Sequence, residues 1–279
     1  NEPNALKETP AWAKDTVPGY NGHTWAPDIS CHNGMWHLYY SCSTFGKNGS
    51  AIGHAVNKTL DPKSPDFGWV DKGMVIASHR GVDNWNAIDP NLIVDKDGQP
   101  YLTYGSFWDG IQLIKLSKDD FQTPLTKPVT IARRLERKVS FEEMQDESNF
   151  TKEGENIIEA GDNAIEAPFI FYHDGFYYLF VSFDYCCRGE NSTYKTVYGR
   201  SKSIEGPFVD QKGQRMEFGG GTPLYGPNDT YFGVGHNSAY EFDGQNYFFS
   251  HAYVKEKGGA SKLFIRKLKF DKNGWIVAE

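Results

Sequence analysis

One pattern of two strands joined by a glycine turn recurs four times along the 279-residue chain. Each copy begins with an acidic or polar residue, continues as an apolar strand, turns at a glycine and ends in an aromatic-rich strand. The copies span residues 28–40, 89–104, 166–180 and 236–249, and their turns fall at Gly34, Gly98, Gly175 and Gly244. Asp-Gly and Asn-Gly turns between apolar runs are the strongest short signal for a β-hairpin. The sequence therefore predicts four hairpins.

The copies follow one another at intervals of 61, 77 and 70 residues, enough each time for a four-stranded antiparallel sheet. A further strand-like stretch follows each hairpin, at residues 50–56, 111–116, 195–200 and 262–269. Repeated sheets of this kind are typical of the blades of a β-propeller. We therefore predict an all-β chain in which residues 1–279 form a single propeller domain.

Two segments do not follow the repeat. Residues 1–27 amount to less than half a blade, so we expect the first blade to be incomplete, with its other strands upstream of Asn1. Residues 133–156 are rich in charge and have possible helical character, as expected of a surface excursion between two blades.

Composition narrows the functional class. The net charge of −7 argues against a nucleic-acid groove, which must neutralise phosphates. No run approaches the roughly 18 to 20 apolar residues of a membrane helix, and a neutral or polar substrate fits best. Four cysteines are too few for a disulfide scaffold in a chain this long. A disulfide between the adjacent Cys186 and Cys187 would be strained, so free thiols are the expectation.

A carboxylic acid or a histidine stands at the start of each hairpin. In a propeller these positions surround one end of the central axis, so Asp28, Asp89, Glu166 and His236 are expected to converge. Two carboxyl groups facing one cavity suit glycosidic bond cleavage, in which one delivers a proton to the leaving oxygen. Glu166 is the better acid because apolar residues follow it, whereas the polar neighbours of Asp89 favour its ionised form.

Further candidates lie near these strand starts. Flat aromatic side chains beside polar groups bind sugar rings, although core packing is the commoner role of each one alone; the candidates are Trp25, Phe45, Trp85, Phe107 and Trp108. His236 has either a metal-binding, a proton-carrying or a structural role. Arg188 is either a solvated surface charge or a hydrogen-bond donor to substrate hydroxyls or to Glu166.

Seven motifs in order give the chain a recognisable signature. They are Trp25-Ala-Pro-Asp28, Ser43-Thr-Phe45, Ser50-Ala-Ile-Gly53, Asn86-Ala-Ile-Asp89-Pro-Asn91, Tyr104-Gly-Ser-Phe-Trp108, Glu166-Ala-Pro168 and Gly235-His-Asn-Ser238. Over its whole length the chain resembles glycoside hydrolase family 43, and most closely the endo-α-1,5-L-arabinanases of that family. The resemblance implies a five-bladed β-propeller that hydrolyses arabinan or arabino-oligosaccharides with inversion.

The same resemblance implies roles for individual residues. Glu166 matches the general acid and Asp89 the group that modulates its pKa. His236 matches the histidine beside an axial metal, commonly calcium held mainly through water, a ligation that suits a hard cation. The positions expected to contact substrate are Trp25, Phe45, Ile88, Ser106, Trp108 and Arg188.

The family's general base has no match in residues 1–27 and is expected upstream of Asn1, so this chain alone is expected to be inactive. Two alternatives stay open. One is an exo-acting arabinofuranosidase or β-xylosidase of the same family, and the other is a catalytically inactive carbohydrate-binding propeller. Attack on a plant polysaccharide places the protein in an extracellular, cell-surface or periplasmic setting, with a bacterium as the expected source.

Overall fold

The computed structural model describes residues 4–138 and 163–278. Its strands form four successive antiparallel sheet units, which confirms the all-β prediction. The first sheet contains β1 (Thr24–His32), β2 (Met35–Cys42), β3 (Ser50–Asn57) and β4 (Val70–Ser78). The second contains β5 (Asn91–Val94), β6 (Pro100–Tyr104), β7 (Ile111–Lys115) and β8 (Val129–Ala132).

The third unit contains β9 (Ile165–His173), β10 (Phe176–Phe183), β11 (Lys195–Ser201) and β12 (Thr222–Tyr225), and the fourth contains β13 (Tyr231–Phe242), β14 (Gln245–Val254) and β15 (Ala260–Lys267). A single parallel pairing of Lys195 with Val234 joins these two units along the start of β11 and the start of β13. A short hairpin, β16 (Lys269–Phe270) with β17 (Ile276–Val277), follows.

All four predicted hairpins are confirmed, as β1–β2, β5–β6, β9–β10 and β13–β14. Each turn contains a glycine in the left-handed region, with φ between 72° and 81°. In three of the turns the preceding Asn33, Asp174 or Asp243 also has a positive φ, as a two-residue type I′ turn requires. The local turn chemistry therefore explains why the hairpins could be read from the sequence.

Consecutive sheets pack face to face around three apolar clusters. One joins the first sheet to the second, a second joins the second to the third, and the remaining cluster joins the third to the fourth. Representative buried pairs across these contacts are Ile52 with Leu102, Leu113 with Leu179, and Phe180 with Phe248. This serial packing brings the first strands of neighbouring sheets side by side.

A short helix, α1 (Ala11–Thr16), precedes the first sheet and was not predicted. Its buried Ala13 packs with Val17, Tyr40 and Ala51 against the first sheet. Residues 139–156 of the charged segment, for which helical character was predicted, lie outside the described residues. No helix within the two described stretches is long and apolar enough to cross a membrane.

Candidate active site

A cavity of about 1180 Å³ lies where the first strands of the four sheets meet. The residues to which the family resemblance gives a role in catalysis, substrate contact or metal binding all contribute to its wall: Trp25, Phe45, Ile88, Asp89, Ser106, Trp108, Glu166, Arg188 and His236. These residues come from all four sheets and from the loops beside them. The structure therefore brings these nine residues into one place.

A conformational repeat explains why these residues face the cavity. Ala26, Asp89, Ala167 and His236 stand at the starts of the four sheets, and each has a positive φ between 42° and 57°. Bulges in the strand pairing accompany three of them. A bulge bends the strand and redirects a side chain, and bulges are common beside active sites.

The carboxyl group of Glu166 is held by two hydroxyl groups. The Ser106 hydroxyl donates to its Oε2 at 2.8 Å, and the Tyr194 hydroxyl donates to its Oε1 at 2.6 Å. Tyr194 is fully buried, and burial together with the charge of Glu166 raises its pKa well above the usual range. Tyr194 therefore stays protonated and serves as a permanent donor to Glu166.

Asp89 is buried and interacts electrostatically with Glu166. Its Oδ2 accepts the backbone N–H of Ala167 at 3.1 Å, and its own N–H donates to the Ser41 hydroxyl at 3.0 Å. Burial is the main cause that raises the pKa of Asp89 well above its usual range, and the charge of Glu166 raises it further. This direction runs against the expectation that polar sequence neighbours favour the ionised form of Asp89, because burial favours the neutral form.

Asp28 does not line the cavity, contrary to the prediction that it converges with the other strand starts. It lies two residues beyond Ala26, the left-handed residue of its strand. Its carboxyl group instead links the first two sheets, accepting the N–H of Leu92 at 2.9 Å and the side-chain amide of Asn91 at 3.3 Å. Burial raises the pKa of Asp28 to about 6.

The aromatic wall combines buried and exposed rings. Trp25 and Phe45 meet edge to face with ring centroids 6.3 Å apart, and Phe45 is 49% exposed. Trp108, by contrast, is buried, with only 3% of its surface accessible. An exposed ring next to a cavity provides a flat apolar surface that a sugar ring can cover. Phe107 also lines the cavity, whereas the predicted Trp85 does not.

His236 lies near a second histidine that the sequence analysis missed. The rings of His236 and His251 are 6.4 Å apart, and burial lowers the pKa of both, to about 4 for His251. Both imidazoles are therefore neutral at pH 7. The register explains the placement, because His251 pairs with Gly235, the residue before His236.

The surroundings of His236 do not form a protein-built calcium cage. Within the described ranges, no three His, Cys, Asp or Glu side chains come together as a metal centre. Calcium prefers oxygen ligands, and His236 offers only nitrogen. The neighbouring His251 has a buried Nε2 with no hydrogen-bond partner among the described residues. This nitrogen suits a bound water, so only a largely water-ligated ion fits here.

The loop after β10 contributes Tyr185, Cys186, Cys187 and Arg188 to the cavity wall. The Arg188 guanidinium lies over the Tyr185 ring, 4.1 Å from its centroid, so the loop does fold back toward the strand starts. Cys186 and Cys187 form a disulfide, and the expectation of free thiols is wrong for this pair. Cys31 and Cys42 are free. Adjacency in the chain made the pairing look unfavourable, but it also leaves both sulfurs within bonding reach.

Two interacting carboxyl groups in a cavity walled by aromatic side chains define the site of a glycoside hydrolase. The comparison with known proteins agrees: residues 4–276 match the family described as glycosyl hydrolases family 43. The chain belongs to this family.

Three similar proteins illustrate the relationship. The extracellular exo-α-(1→5)-L-arabinofuranosidase ArbA of Cellvibrio japonicus is 47% identical over 277 residues, which cover 97% of this chain and 74% of that protein. The extracellular endo-α-(1→5)-L-arabinanase 1 of Bacillus subtilis is 42% identical over 265 residues, covering 95% and 72%. An exo-1,5-α-L-arabinanase from a bovine ruminal metagenomic library, known from a crystal structure, has 58% sequence identity to this chain. The two structures superpose with a TM-score of 0.88, and the match covers 99% of this chain and 84% of that one.

Proposed function

We propose that the protein hydrolyses internal α-1,5-L-arabinofuranosidic linkages of arabinan, with inversion of configuration. The observation that carries this proposal is the interacting pair Asp89 and Glu166 in an aromatic-walled cavity of a family 43 chain. The substrate class is supported by the three similar proteins, since each is named for an α-1,5-linked L-arabinose polymer or its arabinofuranosyl units.

In this proposal Glu166 donates a proton to the leaving oxygen. Ser106 and Tyr194 hold its two oxygens and stabilise the negative charge that remains after the transfer. Asp89, buried beside it, modulates the acid through their mutual electrostatic interaction. An inverting mechanism also needs a general base, whose identity stays a prediction.

Substrate contacts follow from the cavity wall. Trp25, Phe45 and Trp108 supply apolar surfaces for furanose rings, and Ile88 fills the wall beside Asp89. Arg188 lines the cavity with its guanidinium stacked on the Tyr185 ring, and we propose it as a hydrogen-bond donor to sugar hydroxyls. We propose arabinan or a linear arabino-oligosaccharide as the bound partner.

Hydrolysis of linear arabinan by the full-length protein, including any segment upstream of residue 1, tests the main proposal. Reducing ends should appear, and proton NMR at early times should show the product anomer opposite to that of the substrate. Release of product from aryl β-xylosides with none from arabinan would refute the substrate, and binding of arabinan without turnover would favour the carbohydrate-binding alternative.

A second candidate is exo action, which two of the three similar proteins carry in their names. The viscosity of an arabinan solution separates the two modes. An endo enzyme lowers the viscosity steeply when few reducing ends have formed, whereas an exo enzyme releases short products while the viscosity stays nearly constant.

The architecture proposed is a five-bladed β-propeller whose catalytic domain spans residues 1–279. Its support is the serial face-to-face packing of the four sheets and the convergence of their first strands on one cavity. We also propose a secreted or periplasmic location, supported by the extracellular setting in the names of two similar proteins.

Calcium beside His236, held largely through water, is proposed from the family resemblance. The neutral imidazoles of His236 and His251, with the unpartnered Nε2 of His251, are its structural support. If the ion is bound, dialysis against EGTA should lower the Tm and added calcium should restore it. Equal melting curves with EGTA and with calcium, together with no heat of calcium binding by calorimetry, would refute the proposal.

A further inference from the structure

The Cys186–Cys187 disulfide occupies a part of the cavity wall to which the proposed mechanism assigns no role. It belongs to the loop 184–194 between β10 and β11, and both cysteines face the cavity. Cys187 is exposed and Cys186 is half-buried. A disulfide carries no charge and does not titrate, and its sulfur atoms are weak hydrogen-bond acceptors. This patch of wall is therefore apolar and polarizable.

The structure holds this loop in one shape from two sides. Within the loop, the Thr193 N–H donates to the Tyr185 carbonyl at 2.9 Å and the Tyr185 N–H donates to the Thr193 hydroxyl at 3.2 Å. From the fourth sheet, the buried Tyr253 hydroxyl accepts the N–H of Cys187 at 2.8 Å. Cys187 has a φ of 65°, a left-handed conformation that non-glycine residues adopt at a cost unless their surroundings impose it.

The neighbours of the disulfide complete a surface for a sugar ring. Arg188 follows the two cysteines in the chain, and its guanidinium stacks on the Tyr185 ring. A cation with several N–H donors therefore borders the apolar patch. A furanose ring has C–H groups on its faces and hydroxyl groups at its edge. The disulfide can cover the C–H groups while Arg188 donates to the hydroxyls, which divides polar from apolar contacts as in other small-ligand sites.

We propose that the Cys186–Cys187 disulfide is a specificity-determining wall of the substrate cavity, which contacts one arabinofuranosyl unit beside Arg188. This inference rests on the proposed function, because arabinofuranosyl units are the ligands that the function supplies. The covalent link closes a small ring through the Cys186–Cys187 peptide bond and fixes both sulfurs on the cavity side. Opening it replaces this wall with two separately rotating thiols and weakens substrate binding, while Glu166 and Asp89 stay in place.

Steady-state kinetics on linear α-1,5-arabino-oligosaccharides test the proposal, with the Cys186→Ser/Cys187→Ser variant compared with the unmodified protein. KM should rise about tenfold, the effect of losing one good apolar contact, with kcat nearly unchanged. Treatment of the unmodified protein with a phosphine should act in the same way. The phosphine supplies two electrons to the disulfide and water supplies two protons, which gives two thiols, while the oxygen of the same water forms the phosphine oxide.

Two controls make the result specific. Cys31→Ser removes an exposed free cysteine away from the cavity and should leave KM unchanged. The phosphine should not alter the kinetics of Cys186→Ser/Cys187→Ser, which has no disulfide at this position to reduce. If that variant does not fold, as judged by its circular dichroism and Tm, the reduction experiment on the unmodified protein still tests the proposal.

Each remaining outcome has a definite meaning. Unchanged KM in both the variant and the reduced protein, with arabino-oligosaccharides still hydrolysed, overturns the inference and leaves the proposed function standing. Loss of kcat at constant KM also overturns it, because the disulfide would then act on catalysis and not on binding. No hydrolysis of any arabino-oligosaccharide by the full-length protein, including any segment upstream of residue 1, refutes the proposed function and the inference with it.

Discussion

Replacing Tyr194 with phenylalanine removes one hydroxyl group and tests how Glu166 is supported. After Glu166 gives its proton to the leaving oxygen it carries a negative charge, and the Tyr194 hydroxyl donates to that carboxylate at 2.6 Å. A hydrogen bond to a charged group contributes about 2 kcal/mol, so kcat on arabino-oligosaccharides should fall about 30-fold. Substrates with a nitrophenyl leaving group need little protonation and should lose far less.

The assay compares kcat for an arabino-oligosaccharide and for its nitrophenyl glycoside in Tyr194→Phe and in a matched control. Tyr198→Phe is that control: Tyr198 is also fully buried, but its hydroxyl accepts the N–H of Ile276 at 3.0 Å, on the β16–β17 hairpin. The control should lose stability without this leaving-group dependence. An equal loss of kcat on both substrates in Tyr194→Phe, or no loss, would refute the reasoning that links Tyr194 to the acid.

Three further predictions follow from single contacts. Burial lowers the pKa of His37 and of His54 from 6.5 to about 4, so the folded protein favours their neutral forms. The contribution of these histidines to stability is then complete above pH 6.5 and is lost as the pH falls toward 4. Urea unfolding should show a smaller loss of stability in His37→Phe/His54→Phe, and identical pH slopes would contradict this. In Gly235→Ala the new Cβ would lie 2.6 Å from Cε1 of Tyr194, so the tyrosine ring must move. Both the Tm and kcat should therefore fall. A normal kcat would show that Glu166 does not need Tyr194 in place. Asp89→Asn should shift one limb of the pH profile of kcat/KM, and a uniform drop with an unchanged shape would argue against a modulating role.

Turn chemistry and strand alternation are local, and the sequence shows them directly. A glycine at each hairpin turn needs a positive φ whatever the rest of the chain does, and the apolar strands on either side pair because the turn joins them. The four hairpins and the strand that follows each one could therefore be predicted, together with the residues that begin each repeat.

Which side chain at each strand start faces the cavity could not be read from the sequence in the same way. A bulge inserts one residue and changes which side chains face the cavity, and its position depends on the partner strand. In the first sheet the left-handed residue is Ala26, so Asp28 points into the contact between sheets and its carboxyl group binds Leu92. In the third sheet Glu166 immediately precedes the left-handed Ala167 and reaches the cavity.

By itself the sequence determined the hairpins, the all-β class, the family resemblance and the acidic, aromatic character of the site. Only the tertiary structure decided the environment of the catalytic candidates. Tyr194 reaches Glu166 from 28 residues away, and Asp89 binds the N–H of a residue 78 positions later. Burial and contacts of this kind arise from the packing of whole sheets. They raise the pKa of Asp89, whereas its polar sequence neighbours had indicated that the ionised form is favoured.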